Sequence, residues 1–230
     1  MKTIGLLGGM SWESTVLYYQ LINETTKQRL GGLHSAKICL RSVDFAPIEA
    51  LQHQGDWEQL AQMLAAEAQA IEAGGAECLL ICTNTMHKVA DTVAAAITIP
   101  LLHIADATAQ ALVNDGVSKV GLLGTRFTME QDFYKGRLTE QFGIEVITPN
   151  AEQRQAVHEI IYQELCQGEI KAESRETYLN IIAALHEQGA EAVILGCTEI
   201  GMLVQQTDTT VPLYDTTRIH AERVVEWALT

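Results

Sequence analysis

The sequence predicts an α/β protein of two similar lobes, each a parallel sheet flanked by helices, with a cleft between them. Short apolar runs alternate with longer helical stretches, the pattern of a parallel sheet covered on both faces. That alternation restarts near Lys119. Landmarks of the first half also recur in the second at nearly one offset. Gly75-Ala76-Glu77 and its apolar run return 114 positions on as Gly189-Ala190-Glu191, and Gly5-Leu6-Leu7-Gly8 returns 116 on as Gly121-Leu122-Leu123-Gly124. Pro100-Leu101 returns 112 on as Pro212-Leu213.

In chain order, residues 3–8 read as a buried strand closed by Gly8-Gly9, and Ser11 caps a helix from about Trp12 to Leu30. Residues 36–43 form the second strand, followed by a turn containing Pro47 and an alanine-rich helix over about 56–73, stopped by Gly74-Gly75. A strand over 77–82 leads into the turn Thr83-Asn84-Thr85, a helix over about 86–95, a short strand at 100–102 and a helix over about 105–114. The second round has strands at 119–123, 144–148, 192–195 and 211–213. Its helices lie near 128–142, 151–167, 172–188 and 217–229. The last helix is expected to return to the first lobe, giving lobes 1–104 plus 214–230 and 105–213.

The chain has 230 residues, 47% apolar and 19% charged, enough for two compact cores. No apolar run reaches a bilayer span, and Met1-Lys2-Thr3 leads into a strand rather than a signal peptide, so a cytoplasmic protein without membrane partners is expected. The formal charge of −14, with 15 scattered Lys and Arg, argues against a nucleic-acid surface but leaves a small zwitterionic ligand open. The five cysteines, Cys39, Cys78, Cys82, Cys166 and Cys197, form no C-x-x-C pair, so neither a disulfide framework nor a metal site is expected.

Cys197 stands in Ile194-Leu195-Gly196-Cys197-Thr198-Glu199, where a strand ends and a helix begins. The positive end of that helix is expected to lower the thiol's pKa toward the reactive range. The repeat sets Thr83 at the matching junction, so Thr83 and Cys197 are expected to face each other across the cleft. Two proton-handling groups on opposite sides of one carbon acid are what a racemase needs. Backbone N–H groups at the junctions, with Asn84, Thr85 and Thr198, are suited to hold a carboxylate and the charge that develops on it.

The motifs Ile4-Gly-Leu-Leu-Gly-Gly-Met-Ser-Trp-Glu-Ser-Thr15, Asn84-Thr85-Met86-His87, Pro100-Leu-Leu-His-Ile-Ala105, Gly121-Leu-Leu-Gly-Thr125 and Gly196-Cys-Thr-Glu199 together resemble the aspartate/glutamate racemase family. The resemblance spans essentially the whole chain. It implies amino-acid racemisation without a cofactor, by a cysteine pair, in a protein that is usually a homodimer. The Gly5–Gly9 loop, with Met10 and Ser11, then reads as a substrate-carboxylate turn and Thr125 as its counterpart. Neither G-x-G-x-x-G nor a P-loop lysine is present to favour a nucleotide.

This sequence departs from the family pattern twice. Cys197 matches the second catalytic cysteine, but Thr83 occupies the place of the first, and its hydroxyl is far too weak an acid to serve as a resting base. Neighbouring Cys82 should point into the core, since successive strand residues alternate faces. The family's arginine and lysine for a side-chain carboxylate correspond to Gln52 and Cys166, neither of which can make a charge-assisted bond of that kind. A broad or neutral substrate range, homoserine included, is therefore open beside aspartate and glutamate.

Glu199 either activates Cys197 or simply complements a helix start. His87 reads as a structural hydrogen-bonding residue, and Ser11 as an N-cap or a substrate ligand. Asp44 reads as a turn residue or a ligand contact, while Trp57, Tyr18 and Tyr19 read as packing or interface residues. The alternative activity on the same lobes is a single-cysteine decarboxylase or isomerase.

Overall fold

The computed structural model describes all residues, Met1–Thr230. In the first lobe, β1 (Ile4–Gly8) leads to α1 (Trp12–Leu30), β2 (Ile38–Ser42), α2 (Phe45–Gln54), α3 (Trp57–Ala73) and β3 (Cys78–Ile81). A 3₁₀ turn (Thr85–Val89) and α4 (Ala90–Ala95) follow. The second lobe contains α5 (Ile104–Asn114), β4 (Lys119–Gly124), α6 (Arg126–Glu130), α7 (Asp132–Phe142), β5 (Glu145–Ile147) and α8 (Ala151–Gln163). It continues through a 3₁₀ turn (Leu165–Gln167), α9 (Ala172–Glu187), β6 (Ala192–Gly196) and α10 (Ile200–Leu203) to β7 (Leu213–Asp215), after which α11 (Thr216–Leu229) returns most of its length to the first lobe. None of these helices is long and apolar enough to cross a membrane.

Both sheets are parallel, in the orders β2-β1-β3 and β5-β4-β6-β7. The repeat extends to strand register: Leu7 pairs Ile81 in the first sheet, and the equivalent Leu123 pairs Leu195 in the second. Leu101 bridges Leu79 where Leu213 pairs Val193, so the Pro100 and Pro212 segments hold matching edges. The expected fold class is therefore realised as two lobes, each a parallel sheet flanked by helices.

Pleating sorts the first lobe into two apolar layers. Leu7, Leu79 and Ile81 pack with Ile48, Leu60, Leu64 and Ile71 of α2 and α3. Ile4, Leu6, Cys78, Leu80 and Cys82 pack on the other face with Tyr18 and Ile22 of α1 and with Ala221, Val224 and Val225 of α11. In the second lobe Leu123, Val193 and Leu195 pack with Val157 and Ile161 of α8 and Tyr178, Ile182 and Leu185 of α9. Each fully buried leucine or isoleucine contributes about 1.5–3 kcal/mol.

The chain divides into compact units Met1–Ile104 with His220–Thr230, and Ala105–Ile219. The division falls inside α11 rather than after residue 213, because β7 lies two residues later than expected and pairs with β6 as far as Leu195↔Asp215. Two other segments differ from the sequence expectation. The Pro47 stretch is a helix, α2, started by Asp44, whose Oδ1 accepts the Ala46 N–H at 3.2 Å. Pro47 sits in its first turn, where a missing N–H costs nothing. The helix expected over 128–142 is split into α6 and α7 by Gln131, which is extended (φ −96°, ψ 157°).

Candidate active site

Each lobe builds its chemistry at the C-terminal ends of its central strands. In the first lobe, β1 ends at Gly8 and the chain turns at Gly9, whose φ is +94°. A β-carbon there would lie 2.2 Å from the Val43 carbonyl oxygen, so only glycine lets the turn sit against the chain leaving β2. The Gly9 N–H donates to Thr15 Oγ1 at 2.8 Å, and the Thr15 hydroxyl donates to the Ser11 carbonyl at 2.8 Å. Ser11 Oγ accepts the Ser14 N–H at 3.4 Å and caps α1. Met10 is buried in the apolar cluster that also contains Met86 and Ile81.

After β3 the chain passes through Cys82 and Thr83 into the 3₁₀ turn. Cys82 is fully buried on the α1 and α11 face, and burial pushes its thiol well up. Thr83 is half-buried, whereas Asn84 and Thr85 are buried. Gln52 of α2 is 3% exposed and reaches the same turn, its Nε2 lying 3.7 Å from Met86 Sδ. The first lobe thus places Gln52 against Met86, in the turn that also carries Asn84 and Thr85 and directly follows Thr83. His87 fixes this turn: its Nδ1 lies 2.8 Å from the Thr83 carbonyl oxygen, and its Nε2 accepts the Ile104 N–H at 3.2 Å. The His103 ring lies 4.4 Å from that of His87, centroid to centroid. His220 follows at 6.1 Å, bonded on one side to Tyr18 and on the other to the Leu102 carbonyl. The sequence reading missed this histidine layer. The signals for it were His87, read as a structural hydrogen-bonding residue, and a histidine one residue past the short Pro100-Leu101-Leu102 segment; nothing local joined them to His220.

In the second lobe β4 ends at Gly124, and Thr125 Oγ1 caps α6 by accepting the Thr128 N–H at 3.3 Å. Gly124 pairs Gly196 at the end of β6. A β-carbon on Gly196 would come within 2.7 Å of the Leu123 carbonyl, so β6 must finish on glycine before the cysteine. Cys197, Thr198 and Glu199 follow, 8%, 2% and 2% exposed. The Cys197 thiol donates to Glu199 Oε2 at 2.9 Å, and the Thr198 hydroxyl donates to the same oxygen at 2.8 Å. Cys166, on the 3₁₀ turn after α8, packs against the apolar cluster that contains Cys197 and Tyr178.

The expected lowering of the Cys197 pKa is reversed. Burial, and then the Glu199 charge, push the thiol well above its ordinary range, with the Cys166 sulfur adding to the same effect. The Glu199 N–H opposes them, but α10 has only four residues and no long array of aligned peptides. The resting group is a thiol hydrogen-bonded to a buried carboxylate.

Residues 7–224 match the profile of the Asp/Glu/Hydantoin racemase family. The chain belongs to that family. As an Asp/Glu/Hydantoin racemase family member it is 56% identical to a candidate Asp/Glu racemase of Yersinia pestis, whose crystal structure superposes with a TM-score of 0.92 over 100% of both chains. An aspartate racemase homologue from Pyrococcus horikoshii OT3 is 35% identical, with a TM-score of 0.86 and the same full coverage. The broad specificity amino-acid racemase RacX of Bacillus subtilis is 22% identical over 227 residues, 96% of each chain. The family assignment makes the protein a racemase by class.

Proposed function

We propose that the protein is an amino-acid racemase independent of pyridoxal phosphate or any other cofactor, with Cys197 as its principal acid/base and Thr83 as an imperfect counterpart. The observation that carries this reading is the Cys197–Glu199 pair at the end of β6. Glu199 takes the S–H proton, leaving a thiolate beside a neutral carboxylic acid, so the buried pair changes no net charge. The thiolate then removes the α-proton of an L-amino acid, and the electron pair delocalises onto the α-carboxylate, held by backbone N–H groups with Asn84, Thr85 and Thr198. Return of the proton from Cys197 restores the L enantiomer. Delivery from the opposite face is assigned to Thr83, whose hydroxyl yields a proton only poorly, so inversion is slower than exchange; the alkoxide left behind is reprotonated by solvent as Glu199 releases its proton, which restores the resting state.

The substrate class is aspartate and glutamate with a broader range that includes homoserine, because Gln52 and Cys166 supply no charge for a second carboxylate. A homodimer working in the cytoplasm completes the reading. Thr83, which puts a hydroxyl where the mechanism calls for a second thiol, favours one alternative, a single-cysteine decarboxylase or isomerase on the same lobes.

Incubation with single-enantiomer amino acids in D₂O, following α-deuterium and enantiomer ratio together, separates these readings. Deuterium incorporation with slower inversion supports the racemase. CO₂ release from a substituted malonate without exchange in any amino acid overturns it in favour of the decarboxylase.

A further inference from the structure

The histidine layer under the Thr83 turn has a direction built into it. His87 Nε2 faces the Ile104 N–H and can only accept, so the ring proton sits on Nδ1 and is donated to the Thr83 carbonyl. His220 is fixed in the opposite sense. Its Nε2 faces the Leu102 carbonyl and donates to it at 2.7 Å, and its Nδ1 lies 2.9 Å from the Tyr18 hydroxyl. His87 is 3% exposed. The Thr83–Asn84 peptide is trans, because the chain's cis bond lies elsewhere, at Met10-Ser11. A carbonyl held toward His87 therefore turns the Asn84 N–H the opposite way and sets the backbone angle from which the Thr83 side chain departs.

We infer that His87 is a positioning residue for the first-lobe half of the reaction, orienting the Thr83 hydroxyl and the Asn84 N–H through a single Nδ1–H bond to the Thr83 carbonyl. The inference rests on the racemase reading above. It goes beyond that reading because it assigns a reaction-specific task to a buried residue that touches no substrate.

Asparagine and glutamine divide the two bonds of the imidazole. His87→Asn keeps a donor near the Nδ1 position and loses the acceptor for Ile104. His87→Gln keeps an acceptor near the Nε2 position and loses the donor to Thr83. α-Deuterium exchange and inversion of L-substrates are measured with thermal unfolding for the parent and both variants, in the wild-type and Thr83→Cys backgrounds. Comparable melting temperatures are expected for the two variants. His87→Asn should keep kcat for exchange within about 3-fold of the parent, whereas His87→Gln should lose about 10²-fold, the scale of one oriented donor. His87→Gln should also lower the ratio of inversion to exchange, because the opposite-face group is the one set loose. Equal loss in both variants, in step with stability and with an unchanged ratio, would overturn the positioning role. A parent that exchanges no amino acid would instead remove the racemase reading itself, before His87 is in question.

Discussion

The Cys197 thiol and the Glu199 carboxylate lie 2.9 Å apart, both buried, with the Thr198 hydroxyl donating to the same carboxylate oxygen. A carboxylate two residues from a cysteine at a strand end has turned back onto the sulfur instead of facing solvent. It accepts the hydrogen bond of the thiol, and in the proposed mechanism it is the group that removes the thiol proton. Glu199→Gln should therefore separate two effects. With the negative charge gone, one cause of the raised thiol pKa disappears, so iodoacetamide labelling of Cys197, read by peptide mass spectrometry, should reach half-maximum at lower pH than in the parent. α-Exchange should nevertheless fall by about 10²–10⁴-fold, because an amide cannot accept the proton. Exchange at the parental rate would rule Glu199 out as the acceptor.

Replacing the two junction residues tests the asymmetry of the site. Cys197→Ser should abolish α-exchange, a loss of at least ~10³-fold, whereas Thr83→Cys should leave exchange in place and raise the rate of inversion. The enantiomer ratio followed by chiral chromatography, beside deuterium content, reports both. Unchanged inversion in Cys197→Ser would sink the mechanism.

Much of this architecture is legible in the sequence, for reasons visible in particular residues. The Gly75-Ala76-Glu77 and Gly189-Ala190-Glu191 landmarks precede strands whose ladder registers correspond, so the repeat in letters is also a repeat in hydrogen bonding. Glycine spacing located Cys197 and Thr83 at strand ends. Less accessible were features decided by hydrogen bonds and packing that the letters alone do not display. Pro47 reads as a turn until Asp44 is seen capping the helix in which it sits. α10, whose length bears on any dipole acting on Cys197, stops at Leu203 because Val204 is extended, and Gly201 within it packs so closely that a β-carbon would lie 2.8 Å from Asp215 Oδ2. The histidine layer joins residues 87, 103 and 220, and no local pattern links them.

Buried thiols should make the fold sensitive to alkali. Burial pushes Cys78 up to about 12, and it drives Cys82 and Cys197 well up. Each binds its proton more tightly in the native than in the unfolded chain. The associated stability is fully present below the ordinary thiol pKa of about 8.5 and is lost as pH rises from there toward the native values. The melting temperature should hold steady from pH 7 to about 8.5 and decline steeply by about pH 10–11 under reducing conditions. A melting temperature that stays flat to pH 11 would contradict this account of the core thiols.

Gly9 shapes the turn after β1 through backbone geometry alone. Gly9→Ala places a β-carbon against both the carbonyl and the amide nitrogen of Val43 at a positive φ, and neither backbone atom can move aside as a flexible side chain would. The substitution should cost about 2–4 kcal/mol in urea unfolding. Gly55→Ala is the control. It also has a positive φ but open space around the new methyl group, so it should cost only about 1 kcal/mol.

Gln52 tests the side-chain end of the substrate. It lies buried on α2 with its amide against Met86, in the turn that follows Thr83. Gln52→Arg would place a guanidinium there with no carboxylate supplied by the residues gathered at the turn, so the free variant should be destabilised by about 1–3 kcal/mol. A substrate with a second carboxylate can satisfy that charge with a paired hydrogen bond, but homoserine cannot. The ratio of kcat/KM for L-aspartate over L-homoserine should therefore rise about 10-fold or more. L-aspartate should raise the melting temperature of Gln52→Arg more than that of the parent, and L-homoserine should not. The thermal shift separates recognition from rate, because it registers the ion pair even if the longer side chain displaces the reacting carbon. An unchanged selectivity ratio with no aspartate-specific shift would place Gln52 outside the substrate's reach.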